Sequence, residues 1–218
     1  KNPITLARAI MEKSPHVMMV GDGAEKFAAE QKIELVDERY FWTQHRWDDL
    51  QKALEAEKAK VKSQKAKTET NDSRLATRES KYGTVGAVAL DRKGNIAAGT
   101  STGGMTNKKY GRVGDVPVIG AGTYANNDTC GVSATGWGEY FIRVGVARDI
   151  SALMEYRAMT VQAAADTVLG KVKKLGGNGG VVAMDKFGNM AVSFNSEGMY
   201  RAYINGEGKP VVEIYKEN

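Results

Sequence analysis

Thr84-Val85-Gly86-Ala87-Val88-Ala89-Leu90, then Asp91-Arg92-Lys93-Gly94-Asn95, then Ile96-Ala97-Ala98 reads as a buried strand, a tight turn and a returning strand. The apolar run is short and stops at Asp, Gly and Asn, residues that favour turns. The pattern recurs as Gly180-Val181-Val182-Ala183-Met184, Asp185-Lys186-Phe187-Gly188-Asn189 and Met190-Ala191-Val192-Ser193. Two hairpins with one D-x-x-G-N turn predict paired sheets or the halves of a layered fold; a solenoid needs more copies.

Between the hairpins, Phe141, Val144 and Ala147 within 138–148, and Val161, Ala164, Val168 and Val172 within 160–174, fall at helical spacing. Upstream, Asn2-Pro3 followed by Ile4, Leu6, Ala7, Ile10 and Met11 predicts a helix with Asn2 as N-cap, ending near Pro15. Val17 to Val20 reads as a short buried strand leading through Gly21-Asp22-Gly23 into a second helix from Ala24. Tyr40, Phe41, Trp42 and Trp47 are expected to pack this part onto the body. Residues 48–67 favour helix but lack a broad apolar stripe, and 63–80 is almost wholly polar, a poorly ordered linker for want of apolar area to bury. Strand pairs with helices on their outer faces give an α+β class, an αββα body.

With 218 residues, 42% hydrophobic and 26% charged, the chain is large enough to bury a core as one domain. Cys130 is the single cysteine, which excludes a disulfide framework, and no run approaches the ~18 apolar residues of a membrane span. Of the net charge of +5, a surplus of four lies in residues 51–81, with nine Lys/Arg against five Asp/Glu. A Lys-rich stretch without interleaved aromatics is a solvated segment rather than a nucleic-acid surface. His16 and His45 are too isolated for a metal site, and neither metal nor cofactor is expected. The chain begins at Lys1 rather than Met and no charged-then-apolar leader follows, so it reads as processed or truncated; a cytoplasmic location is the expectation, with a periplasmic one open.

The linker meets the first strand at Gly83-Thr84, where the glycine leaves the peptide carbonyl sterically open. A threonine that attacked this carbonyl would become a new chain terminus, whose α-amine, with an ordinary pKa of about 7.7–8.0, can serve as its own base. Thr100-Ser101-Thr102-Gly103-Gly104 lies at the far end of the same hairpin and can return Thr102 to Thr84. In Gly111-Arg112-Val113-Gly114-Asp115, Arg112 suits a carboxylate and Asp115 an ammonium, while Thr135-Gly136-Trp137-Gly138 puts a hydroxyl and open backbone N–H groups before a helix, where they suit an oxyanion. Each segment alone is also explained by turn formation.

Taken together, and in order, Lys81 to Ala89, Thr100 to Gly104, Asn107, Gly111 to Asp115, Gly120-Ala121-Gly122 with Tyr124-Ala125-Asn126, Thr135-Gly136 with Gly138-Glu139, and Gly176 to Gly180 resemble the plant-type L-asparaginases, or isoaspartyl peptidases. The resemblance also covers Asn2 to Phe27 and implies the N-terminal-nucleophile hydrolase fold, a four-layer αββα sandwich. It implies a precursor that cuts itself between Gly83 and Thr84, giving an α chain (here 1–83, with the linker over about 48–83) and a β chain (84–218) that stay together as one domain and as a dimer of heterodimers. Thr84 then falls on the nucleophile, Thr102 on its supporting threonine, Thr135 and Gly136 on the oxyanion donors, and Arg112, Val113, Gly114, Asp115, Trp137 and Gly138 on the substrate-binding positions. Implied substrates are L-asparagine and β-aspartyl dipeptides, which yield L-aspartate.

The sequence departs from the family in lacking the opening His-Gly-Gly-Ala-Gly strand and the later loop that holds a sodium ion and supplies an asparagine. A missing central strand should leave a sheet edge exposed. Trp137 is a second departure, a bulky residue in the recognition loop. A glycosylasparaginase-like hydrolase and an uncleaved, non-catalytic interaction module stand as alternatives.

Overall fold

In the computed structural model, which describes residues 1–65 and 83–216, β1 (Thr84–Leu90) and β2 (Ile96–Thr102) pair antiparallel, from Thr84 opposite Thr102 to Leu90 opposite Ile96. Four further strands, β3 (Thr123–Ala125), β4 (Cys130–Gly136), β5 (Gly179–Asp185) and β6 (Met190–Phe194), form an antiparallel sheet in that order, and β7 (Gly198–Ile204) pairs with β8 (Pro210–Tyr215). Both expected turns are closed by one carboxylate. Asp91 accepts from the backbone N–H of Lys93 and Asn95 at 2.7 and 2.8 Å and from the Asn95 amide at 2.9 Å. Asp185 accepts from Phe187 and Asn189 at 2.8 and 2.9 Å and from the Asn189 amide at 2.8 Å. The third hairpin uses Asn205 in the same way, its side-chain oxygen accepting from Glu207 and Lys209 at 3.0 and 2.9 Å. Sequence reasoning missed this hairpin, although Asn205 and Gly208 are its turn signal.

Alternation along β4 divides its two faces. Cys130, Val132 and Ala134 join Val181 and Ala183 of β5 and Ala191 of β6 in a core covered by three helices, α4 (Gly138–Val144), α5 (Val146–Arg157) and α6 (Val161–Lys174). α6 is capped by Thr160, whose hydroxyl accepts from Ala163 N–H at 3.3 Å, and it buries Val161, Ala164, Ala165, Val168, Leu169 and Val172, the expected stripe. The helix expected over 138–148 is two. Gly145 takes a left-handed conformation at φ 67° and its N–H caps the Phe141 and Ile142 carbonyls, so α4 stops there and α5 runs on to Arg157.

The other face of β4 meets β1. A Cβ on Gly86 would occupy the place of Ser133 Oγ, and one on Gly131 would sit 2.6 Å from Val88 Cγ1 and 2.7 Å from Ile96 Cγ2. Sheet therefore lies on sheet with helices beyond, within an α+β fold. Among the described residues β1 has β2 as its one strand partner, and Val85 is 71% exposed. A cleft of about 1020 Å³ lies along β1, lined among others by Val85, Ala87, Val182, Met184, Tyr203 and Val212.

The chain divides into two compact units, Lys1–Gly83 with Gly103–Arg112, and Thr84–Thr102 with Val113–Asn218. In the first, α1 (Pro3–Lys13) and α2 (Gly21–Glu30) bury only Ala9, Ile10, Ala24 and Ala28, and α3 (Gln44–Lys65) follows a 3-10 turn at Glu38–Phe41. Pro3 opens α1 as expected, but Asn2 caps it through its backbone carbonyl and not its side chain. Residues 17–20 form no strand: Val17 and Val20 are 80% and 67% exposed, with no neighbouring strand among the described residues to satisfy their backbone, and α2 starts at Gly21. Tyr40, Phe41, Trp42 and Trp47 are exposed, with Tyr40 edge-to-face on Phe41 at 5.2 Å between centroids. The linker reading falls, from residue 66 onward, outside the described residues. Among the described residues no helix is long and apolar enough to cross a membrane.

Cys130 is fully buried at the centre of the core, and burial pushes its thiol up to about 11. Native protein at pH 8 is therefore expected to resist maleimide labelling and to react fully once unfolded in denaturant. Labelling of the native state at the rate of a free thiol would contradict the placement of β4.

Candidate active site

Thr84 is the first residue of β1 and Thr102 the last of β2, and their register pairing puts both side chains on one face. The Thr84 hydroxyl donates to Thr102 Oγ1 at 3.1 Å. Both belong to the second unit, as do Thr135 and Gly136 at the end of β4. Stacking of β1 on β4 relates the two ends. Val88 lies against Gly131 and Gly86 against Ser133, so the next step of two residues along each strand brings Thr84 level with Thr135.

A chain of hydroxyls holds this stacking. Thr100, the register partner of Gly86, shares a hydrogen bond with Ser133 Oγ at 2.7 Å and accepts one from Thr123 Oγ1 at 2.6 Å. The Thr123 hydroxyl also lies 3.3 Å from the Val116 carbonyl. Ser133 and Thr123 went unnoticed in the sequence. The available signal was the alternation Gly131, Ser133, Thr135 on one face of β4, which sets small and polar residues opposite the apolar Cys130, Val132 and Ala134.

Beyond Thr135 the backbone is crowded. Gly136 pairs with Gly179, a Cβ on the latter would collide with the Thr135 carbonyl, and Trp137 N–H donates to the Asn178 carbonyl at 3.0 Å. Asn195 fastens the facing loop, accepting from Gly179 N–H at 2.8 Å and donating to the Gly177 carbonyl at 2.9 Å; it is a further residue that sequence reasoning passed over. Trp137 is half-buried and turns back onto α4, edge-to-face with Tyr140 at 5.3 Å between centroids. Gly138 is buried at the start of α4.

Asp115 is only 5% exposed, and its carbonyl accepts from Val118 and Gly122 N–H at 3.0 and 3.1 Å. Gly122 leaves room for its carboxylate: a Cβ there would lie 2.7 Å from Asp115 Oδ2. Val113 is exposed and Gly114 half-buried. Arg112 ends the first unit rather than the second. Its loop is tied to α3 by Glu57, which pairs with Lys109 Nζ at 2.5 Å and accepts from the Asn107 amide at 3.1 Å, while Arg112 N–H donates to the Lys109 carbonyl at 3.2 Å. The Lys109 hydrogen bond, then that from Asn107, hold the Glu57 carboxyl below its ordinary value. That contribution is complete at neutral pH and is lost as pH falls through the lowered pKa.

The asparaginase family profile matches residues 1–214. The chain is 48% identical over 218 residues to the isoaspartyl peptidase of Escherichia coli, covering 100% of itself and 65% of that protein. It is 43% identical over 226 residues to the probable isoaspartyl peptidase/L-asparaginase 2 of Arabidopsis thaliana, covering 99% of itself and 69% of the relative. With the isoaspartyl peptidase/L-asparaginase of Rattus norvegicus it shares 43% over 215 residues, 98% of itself and 60% of the relative. The chain thus spans about two thirds of the length of these curated relatives.

Replacing Gly86 by Val should drive a side chain into Ser133 and push β1 off β4, at a cost of about 1–3 kcal/mol or more for overpacking. Urea midpoints measure this, and Ser133→Gly in the same chain should recover much of the loss. An unchanged midpoint for Gly86→Val would show that the two strands do not touch.

Proposed function

The chain belongs to the asparaginase family, and from that premise we propose that it is a threonine amidohydrolase that frees its own nucleophile by cutting between Gly83 and Thr84. Its proposed reactions are hydrolysis of the L-asparagine side-chain amide and of the β-linked bond in isoaspartyl dipeptides, each releasing L-aspartate. The observation that carries this reading is the 3.1 Å hydrogen bond from the Thr84 hydroxyl to Thr102 at the first rung of β1.

In the uncut chain the Thr84 nitrogen is an amide and has no basic lone pair. The first event is attack of Thr84 Oγ1 on the Gly83 carbonyl carbon, after which the carbon–nitrogen bond breaks, the nitrogen gains a proton and an ester remains. Water hydrolyses this ester, leaving a Gly83 carboxylate and a free Thr84 amine. That amine, with an ordinary pKa of about 7.7–8.0, accepts the hydroxyl proton when a substrate amide is attacked. Thr102 keeps the hydroxyl aimed, Thr135 and Gly136 face the developing oxyanion, and the buried Asp115 reads the substrate ammonium while Arg112 reads its carboxylate. Val113, Gly114, Trp137 and Gly138 shape the recognition loops. The matured α and β chains stay together and pair as a dimer of heterodimers, in the cytoplasm.

Thr84→Ala is expected to leave a single full-length species by intact mass and no asparagine or isoaspartyl hydrolysis, with stability changed by only about 1 kcal/mol for one hydroxyl hydrogen bond. Fragments meeting at residues 83 and 84 in that variant would overturn the assignment, and an uncut wild-type chain would favour the non-catalytic module.

Arg112→Lys keeps the charge but loses the two-pronged donor, so substrate binding should weaken by roughly 1.5–3 kcal/mol, the range for hydrogen bonds to charged groups. A wild-type KM and kcat in this variant would make Arg112 structural.

A further inference from the structure

Arg46 is placed on the peptide that the proposed function requires to be cut. It sits in the first turn of α3, where its backbone N–H donates to the Thr43 hydroxyl at 3.3 Å, and it belongs to the same compact unit as Gly83. Its Nη2 lies 2.8 Å from the position a Cβ on Gly83 would take, with Cζ at 3.8 Å. The guanidinium thus fills the space a side chain at residue 83 would need, against the carbon bonded to the scissile carbonyl. Asp49 Oδ2 stands 3.7 Å from Arg46 Nη1, beyond hydrogen-bond range, and His45 Nε2 is 3.6 Å from the same oxygen. The Asp49 side chain is 18% exposed and that of Arg46 48%. A largely buried carboxylate therefore holds the cation near Gly83 without binding its donors tightly.

We propose that Arg46 is a positioning residue for self-cleavage: it stands against Gly83 within the first unit, and its charge favours the negative oxygen that forms on the Gly83 carbonyl. The inference rests on the self-cleavage reading and adds a residue to it. Attack of Thr84 Oγ1 turns the Gly83 carbonyl oxygen into an oxyanion. Collapse breaks the bond to the Thr84 nitrogen, which takes up a proton, and water then converts the ester to a Gly83 carboxylate. Negative charge thus appears at Gly83 twice, first transiently and then permanently, next to a guanidinium whose planar array of donors suits either form.

The test follows cleavage of freshly purified full-length precursor by intact mass. Arg46→Ala should slow the appearance of the two fragments by roughly ten- to hundredfold, as expected for one charge-assisted hydrogen bond. Arg46→Lys should also be slow, since an ammonium cannot span the same donors. Methylguanidinium at a sub-denaturing concentration should speed the alanine variant and leave the wild type unchanged, a rescue that a merely structural role for Arg46 does not give. Once matured, the variants should hydrolyse substrate with wild-type kcat and KM. Cleavage of Arg46→Ala at the wild-type rate, or a slow variant that methylguanidinium leaves slow, overturns the proposal for Arg46 alone. A wild-type chain that never cuts overturns the self-cleavage reading and this one with it.

Discussion

The close approach of Gly86 to Ser133 is the constraint on which the candidate site depends. Stacked sheets ordinarily lie about 10 Å apart with side chains from both faces between them. Here one partner has no side chain and the other only a hydroxymethyl, so β1 and β4 meet almost backbone to side chain. The hydroxyl cannot be left dry and unpaired at such a contact, and Thr100 meets that demand from the strand beside Gly86. Thr123 passes the chain of hydrogen bonds on to β3 and, by its approach to the Val116 carbonyl, to the loop that carries Asp115. One steric gap thus fixes the level of β1 on β4 and couples the Thr84 end of the hairpin to the loop that carries Asp115.

What could be read from the sequence was whatever a few neighbouring residues decide among themselves. Asp91 with Asn95 and Asp185 with Asn189 close their turns by contacts within five residues, and the α6 stripe follows from periodicity and the Thr160 cap. Val17 to Val20 misled because an apolar run needs a neighbouring strand to become one, and none reaches it among the described residues. Gly145 misled in the opposite sense, since a glycine within a helical pattern is tolerated until the left-handed conformation is used to turn the chain.

The site shows the same division. Thr84 and Thr102 were legible because a hairpin must return its last residue to its first, and the 3.1 Å contact follows from register. Ser133, Thr123 and Asn195 were not, because their partners, Thr100 for the first two and Gly179 for the third, lie at sequence separations that only the folded sheets bring together. Arg112 and Asp115 are near neighbours in sequence yet belong to different compact units. Their common motif therefore says nothing of how each is held: Glu57 anchors the loop of one, and Gly122 makes room for the other.

The unit boundary at Gly83 and Thr84 also bears on why the proposed cut there would be tolerable. The ladder of β1 runs from Thr84 to Leu90, and all seven of its residues have partners on β2. A break before Thr84 removes none of these pairs and leaves the stacking of Gly86 on Ser133, two residues further on, untouched. A cut one turn of pleat later would free the strand end that carries Thr84, the proposed nucleophile. Under the proposed self-cleavage, a hydroxyl on the first paired residue meets two opposed demands, a nitrogen that becomes a terminal amine and an oxygen held by its cross-strand neighbour. Gly83 itself belongs to the first unit, where Arg46 stands beside it.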